Sequence, residues 1–258
     1  MVALTVPERR NKILELLAEE GRVSVNRLSK IFGVSSVAIR QDLTELDKQG
    51  MLTRVHGGAV TSYKSYYDMS LVQRSNTNAK EKKEIAVKIN EMIKDRDTLI
   101  MNAGTTPIFV MREIWDKHVT IITNSIALAL EGAKNPNFKI ILLGGDVDSE
   151  YQFTYGTSVV NALEQYSADM LILSVDGVDA AHGISTFYHQ EAEICRYMMN
   201  AAKRTIVAAD YSKLNRIAFT KIDNFSKIQT LVTSHAADPN LLKKLRTKGI
   251  EVVVGNDK

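Results

Sequence analysis

Within a chain of 258 residues, the segment Ser35 to Thr44, SSVAIRQDLT, carries side chains of the kind that read nucleic acid. An arginine can donate two hydrogen bonds to a guanine edge, and a glutamine can pair with adenine. Serine and threonine hydroxyls suit phosphates or base edges in a major groove. Arg40 and Gln41 supply the first two chemistries, and Ser35, Ser36 and Thr44 the third, with Val37 on the same face. These groups act together only if one rigid element presents them. If Ile39, Leu43 and Leu46 face a core, the 3.6-residue helical wheel turns Val37, Arg40, Gln41 and Thr44 outward or sideways and leaves Ser36 at the edge. Ser35 is a good N-cap for that helix, which runs to about Gln49 and is closed by Gly50.

The flanking sequence supplies the rest of such a device. Residues 7–20 form a first helix with Ile13, Leu16 and Leu17 buried, Thr5 as cap, Pro7 inside its start and Gly21 past its end. A β-type stretch, Arg22 to Val25, leads to a second helix with Leu28, Ile31 and Phe32 facing inward, ended by Gly33. Only Gly33 and Val34 separate it from Ser35, which makes a helix-turn-helix. Asp42, on the third helix, is expected to pair or cap. MLTRVHGGAV then offers two β runs around Gly57-Gly58, a hairpin wing that carries Arg54 and His56 toward a nucleic-acid backbone. Charge agrees, for residues 1–83 hold 14 Lys/Arg against 9 Asp/Glu and the remainder 19 against 21. The positive front end is the part suited to a polyanion. A small trihelical protein-binding domain shows the same amphipathic pattern, but the turn, the wing and the charge together favour double-stranded DNA.

A second constellation lies at expected strand ends. Residues 61–78 are polar and aperiodic and read as a linker. A helix begins near Ala79, with Ile85, Ile89, Met92 and Ile93 in phase. Apolar β runs then start at Thr98, Val119, Lys139, Asp169, Thr205, Thr230 and Glu251, mostly with helix-length segments between them. Continuous apolar runs of this kind predict a mainly parallel sheet covered on both faces. The expected division is 1–60, 61–78 and 79–258. Asn102, Gly104, Thr105 and Thr106 follow one run, Asn124 and Ser125 another, and Gly144-Gly145, Asp176-Gly177 and Asp210 three more. In an open α/β sheet such ends line the ligand crevice. Gly104 permits close approach, Pro107 suits the first helical turn, and free N–H groups there can hold a phosphate. Asn124 and Ser125 can repeat the arrangement, and Lys213 can add a full positive charge. Singly, each of these residues has an ordinary turn or capping role; as a set on one rim they point to an anionic metabolite.

No apolar run approaches the roughly 18 residues a membrane helix needs. The chain reaches Pro7-Glu8-Arg9-Arg10 after six residues, which argues against a signal peptide, so a cytoplasmic location is expected. Cys195, the single cysteine, cannot form an internal disulfide or build a zinc site alone, and reads as a core residue. His182, His189, Glu191 and Glu193 match no standard metal spacing, with the two glutamates about 200° apart on a helix. No metal or cofactor is expected.

The run from Glu8 to Val60, above all VSSVAIRQDL and RVHGGAV, resembles the N-terminal domain of DeoR-family bacterial transcriptional repressors. NAGTT, TNS, LLGG, the stretch from Gly183-Ile184-Ser185-Thr186 to Glu191-Ala192-Glu193, and ADYSK resemble that family's C-terminal domain. The resemblance covers nearly the whole chain. It implies an α/β protein: an N-terminal winged helix-turn-helix followed by a mainly parallel α/β sensor domain similar in fold to ribose-5-phosphate isomerase. It further implies that the helix bearing Arg40 enters the major groove, with Ser35, Ser36, Arg40 and Gln41 as readers and Arg54 and His56 on the wing. The effector it implies is a phosphorylated sugar, and the target an operon that metabolises it. Because one helix-turn-helix contacts few base pairs, a homodimer or homotetramer on repeated half-sites is expected. Three departures stand out. Gln41 replaces a more usual basic residue, Ser174 a glycine shortly before Asp176-Gly177, and Cys195 a lysine that often follows Glu-Ala-Glu. A sugar-phosphate isomerase-like enzyme with an accessory DNA-binding domain is the alternative, with Asp176, Asp179 and Lys213 moving a proton beside a sugar carbonyl. Ala180 and Ala181 stand where the isomerase loop would continue with a glutamate, so the sensor reading is preferred.

Overall fold

The computed structural model describes residues 4–49, 51–61 and 70–256. The chain divides into two compact units, residues 1–79 and 80–258. In the first, helix α1 (Val6–Glu20) opens with a capping box. The Thr5 hydroxyl accepts from the Glu8 N–H, and the Glu8 carboxylate accepts from the Thr5 N–H at 2.8 Å, so two orphan donors of the helix start are satisfied. Strand β1 (Arg22–Ser24), helix α2 (Val25–Phe32) and helix α3 (Ser36–Lys48) follow, with Ser24 and Ser35 as N-caps and Gly33 in the left-handed region between the two helices. Strands β2 (Leu52–Val55) and β3 (Gly58–Thr61) form the hairpin, and β3 lies between β1 and β2 in one antiparallel sheet. At Gly58 a Cβ would stand 2.0 Å from the Val23 carbonyl oxygen, so only glycine lets β3 approach β1.

The core of this unit is Ile13, Leu17, Leu28, Ile39, Leu43, Leu46 and Leu52. Ile31, expected to face inward, is 48% exposed. The short α2 instead buries Val25 and Leu28, with Phe32 half-buried at its end. Asp42 does pair. It is buried in α3, with Oδ2 2.7 Å from Arg9 Nε and Oδ1 3.0 Å from Arg10 Nε, which pins α1 to α3. The expected linker also departs from its aperiodic reading. Leu71–Asn76 forms helix α4, opened by a capping box between Ser70 and Gln73, and it packs on α1. Residues 62–69 and the expected stop at Gly50 lie outside the described residues.

The second unit begins with α5 (Ala79–Asn90), which buries Ile85 and Ile89 but ends before Met92 and Ile93, so those two reach the core from the following turn. Among the described residues, seven parallel strands form the main sheet: β4 (Thr98–Met101), β5 (Val119–Thr123), β6 (Phe138–Leu142), β9 (Met170–Ser174), β12 (Thr205–Ala208), β14 (Thr230–Thr233) and β15 (Glu251–Val254). Their spatial order is β15-β14-β12-β9-β4-β5-β6. Alternate residues serve opposite faces. Leu99, Met101, Met170 and Ile172 pack toward α5, α6 (Thr105–Glu113) and α7 (Ile126–Gly132). Ile100, Leu171, Leu173 and Val207 pack toward α8 (Thr157–Leu163), α9 (His189–Asn200) and α10 (Pro239–Arg246). Two small antiparallel sheets escaped the sequence reading: β7 (Asp146–Asp148) with β8 (Phe153–Tyr155), and β10 (Gly177–Asp179) with β11 (Gly183–Thr186) and β13 (Thr220–Asp223). Among the described residues no helix is long and apolar enough to cross a membrane.

Removing one member of a buried ion cluster leaves uncompensated charge, which costs several kcal/mol. Asp42→Ala is therefore expected to destabilise the first unit by about 3 kcal/mol in chemical denaturation, and Asp42→Asn by less. A loss below about 1 kcal/mol would place the pair in the regime of solvated surface ions.

Candidate functional site

On the first unit, Val37, Arg40 and Gln41 are exposed along α3 and Ser36 is half-buried at its start. Ser35 is exposed, but its hydroxyl already accepts from the Ala38 N–H at 3.2 Å. Thr44 turns out to be a junction. Its hydroxyl donates to the Arg40 carbonyl at 2.7 Å and accepts from Arg54 Nη1 at 2.9 Å, while the Arg54 N–H donates to Asp47 Oδ1 at 3.2 Å. The wing strand is thus tied to the helix that bears Arg40 and Gln41. His56 and Gly57 form the two-residue turn of the hairpin, with Gly57 at φ 78°, and His56 is exposed at its tip. The Ser29 hydroxyl donates to the Val34 carbonyl and braces the turn between α2 and α3. The result is an exposed, partly cationic surface with amide, guanidinium and imidazole groups outward.

On the second unit, the strand order reverses between β4 and β9, and a crevice opens outside the carboxyl ends of strands at such a point. Asn102 spans it. Its Nδ2 donates to the Ser174 carbonyl at 3.0 Å and its Oδ1 accepts from the Ser174 N–H at 2.8 Å. Asn124 does the same one strand along, accepting from the Ala103 N–H at 3.1 Å and donating to the Thr154 carbonyl at 3.1 Å. Ser125 caps α7 through the Leu128 N–H. The side chains of these three expected ligand residues each hydrogen-bond to backbone groups of the scaffold. Ser174 approaches Gly104 closely, its Oγ 2.1 Å from where a Cβ would stand, so a larger residue there would make the serine side chain shift. Thr105 and Thr106 occupy the first turn of α6, and Gly104, as its N-cap, makes no side-chain hydrogen bond to the helix start. Gly144 is exposed with open space around it, whereas Gly145 faces the Tyr155 carbonyl.

A second group gathers around Asp176. Its Oδ2 accepts from the Phe187 N–H at 3.1 Å, and its Oδ1 lies 3.8 Å from Lys213 Nζ. The Thr186 hydroxyl stands between Asp176 Oδ2, at 2.9 Å, and a Glu191 carboxylate oxygen, so the two carboxylates share its one proton. Lys213 is buried on a short 3₁₀ turn, Tyr211–Lys213, that Asp210 caps through the Ser212 N–H at 2.9 Å. Gly177 is needed because the Arg216 carbonyl would lie 2.6 Å from its Cβ. Thr186 and Glu191 were not expected as site residues, although both lie in the stretch that carried the family resemblance. Cys195 joins the two groups. Its Sγ is 4.0 Å from Asn102 Nδ2, and burial, then the charges of Glu191 and Asp176, push its thiol well above the usual range. His182 pairs with Asp179 at 2.9 Å. No group of three or more His, Cys, Asp or Glu able to hold a metal occurs among the described residues.

Residues 9–64 match the family described as the DeoR-like helix-turn-helix domain, and residues 77–235 the DeoR C-terminal sensor domain. A protein of Escherichia coli O157:H7 named for repression of the aga operon is 34% identical over 251 residues, covering 96% of this chain and 93% of that protein. The HTH-type transcriptional repressor CsqR of Escherichia coli K12 is 30% identical over 98% of this chain and 97% of its own. The glycerol-3-phosphate regulon repressor of the same strain is 29% identical, covering 95% and 97%. Among solved structures, ribose 5-phosphate isomerase A of Methanocaldococcus jannaschii is similar over 53% of this chain and 55% of that one, with a TM-score of 0.40 and 16% identity.

A protonated, buried thiol is a poor nucleophile. Cys195 is expected to react with a thiol reagent at pH 8 at least about tenfold more slowly in the native chain than in denaturant. Equal rates, read by absorbance of the released thiolate, would contradict its burial.

Proposed function

The chain belongs to the DeoR family of transcriptional regulators, and from that premise we propose that it represses a sugar-catabolism operon under the control of a phosphorylated sugar. Its relatives are named as transcriptional regulators and repressors rather than enzymes, and one is named for the glycerol-3-phosphate regulon. On this reading α3 enters the major groove of double-stranded operator DNA. Arg40 and Gln41 meet base edges, Ser35, Ser36, Val37 and Thr44 flank them, and Arg54 and His56 approach the backbone from the wing.

For the effector, the observation that carries the proposal is the buried Lys213 beside Asp176 at the carboxyl edge of the sheet. A buried ammonium is kept where anionic or hydrogen-bonding partners offset its lost hydration. A phosphate is one anion that a lysine at this edge attracts, and the helix start at Gly104, Thr105 and Thr106 supplies N–H donors for it. The sugar hydroxyls then reach the Asp176 and Thr186 group. Asn102, Asn124 and Ser125 shape the site from behind, Gly177 holds the Asp176 loop in place, and Gly144 and Gly145 border it. Effector binding changes operator affinity through a coupling free energy between the two units, and at least a dimer places two α3 helices on repeated half-sites. Such a regulator works in the cytoplasm beside the DNA.

Two measurements test this. Arg40→Ala combined with Gln41→Ala is expected to weaken selective operator binding by roughly 100-fold or more, because each bidentate base contact is worth about 1–3 kcal/mol, while effector binding stays intact. Retention of both functions would displace α3 as the reading element. In a thermal-shift panel, phosphorylated sugars are expected to raise the melting temperature where their unphosphorylated forms do not, and Lys213→Met to abolish the shift. Equal shifts from both forms would remove the phosphate from the proposal.

A further inference from the structure

Beside the Asp176 group lies an aromatic edge that a phosphate site does not require. In the sheet of β11 and β13, Thr186 stands opposite Thr220, so Phe187 and Phe219 are the next cross-strand neighbours, with ring centroids 6.4 Å apart. Phe219 is 85% exposed, more than any other large apolar side chain among the described residues, and Phe187 is 38% exposed. Behind them Tyr188 packs edge-on to Phe187 at 5.1 Å and against Tyr151 at 4.7 Å.

The backbone that carries these rings is tied to the polar group. The Phe187 N–H donates to Asp176 Oδ2, and the Ala218 N–H donates to Ser185 Oγ at 2.8 Å. Gly177, having no Cβ, admits the Arg216 carbonyl and the Ala218 N–H next to the Asp176 loop. The segment from Lys213 to Phe219 is thereby laid along that loop, with a buried ammonium at one end and an exposed phenyl ring at the other. A ligand that satisfies both ends is anionic at one point and apolar over one face. A ring-closed sugar has such a face, because its C–H groups gather on one side of the ring and its hydroxyls radiate from the edge. An open-chain polyol lacks it.

We infer that Phe187 and Phe219 form a sugar subsite beside the Asp176 group and select ring-closed sugar phosphates over open-chain ones. The inference rests on the phosphate reading proposed above. The phosphate sits toward Lys213, the hydroxyl edge toward Asp176 and Thr186, and the C–H face against the phenyl rings.

The test is calorimetric titration of the full chain with matched pairs: ribose 5-phosphate and ribitol 5-phosphate, glucose 6-phosphate and glucitol 6-phosphate, galactose 6-phosphate and galactitol 6-phosphate. At least one sugar phosphate is expected to bind about fivefold or more tightly than its own alcohol, a range typical of one aromatic contact. Phe219→Ala, at a position too exposed to endanger folding, is expected to bring that ratio near one while leaving the alcohol's affinity unchanged. Phe219→Leu should act in the same direction. A ratio that persists in Phe219→Ala, or a wild-type chain that binds sugar and alcohol alike, overturns the subsite while the phosphate reading stands. Failure of every phosphate to bind the wild-type chain overturns both. If sedimentation shows Phe219→Ala in a smaller assembly with its ring preference unchanged, the rings serve a second copy of the chain and the subsite is overturned.

Discussion

One side-chain amide holds the second unit's crevice in shape. Asn102 meets both the N–H and the carbonyl of Ser174, so it acts as an extra rung between two parallel strands beyond the point where their backbones pair. Backbone groups at a strand end must find partners when buried, and this amide satisfies them without closing the space above. Everything placed at the crevice depends on that clasp. Ser174 sets the approach of Gly104 and so the start of α6, and Cys195 packs beneath it against the Asp176 and Glu191 side.

Asp42 plays the matching part in the first unit. A carboxylate buried between Arg9 and Arg10 fixes the rotation of α3 against α1, and Ile39, Leu43 and Leu46 finish the alignment. Once that inner face is settled, helical periodicity alone decides which side chains face water. The two units thus share a logic: a buried polar group fixes the elements that carry the candidate site.

Local pattern revealed the parts whose partners are near in sequence. The Ser35 cap, the inward face of α3, the Asp42 pairing and the strands of the main sheet were legible because 3.6-residue and continuous apolar patterns are written within a dozen residues. Ile31 misled because a helix as short as α2 can bury only a narrow stripe. The helix from Leu71 was signalled by Ser70 and Gln73 but masked by polar composition around it. At the crevice, the sequence pointed to residue types but not to their partners. Asn124 and Ser125 read as ligand groups, and the structure adds that they bond to the backbone of Thr154 and Leu128. Thr186 became visible only when an antiparallel sheet of three short strands brought it to Asp176, and Glu191, in the first turn of α9, only through its contact with Thr186. Partners separated by 72 residues, as in Asn102 and Ser174, leave no periodic trace.

The Thr44 hydroxyl, bonded to the Arg40 carbonyl on one side and to Arg54 on the other, divides the outer surface of the first unit into two kinds of position. Arg40 and Gln41 contribute nothing to the core, so exchanging their side chains costs the fold little. On the proposed reading, mutational drift there would redirect the chain to other promoters at nearly constant stability. Thr44 is different, since losing it would remove one of the side-chain ties between the hairpin and its helix. Lineages that diversify their targets should therefore vary at the former and keep the latter, retuning an address while the scaffold persists.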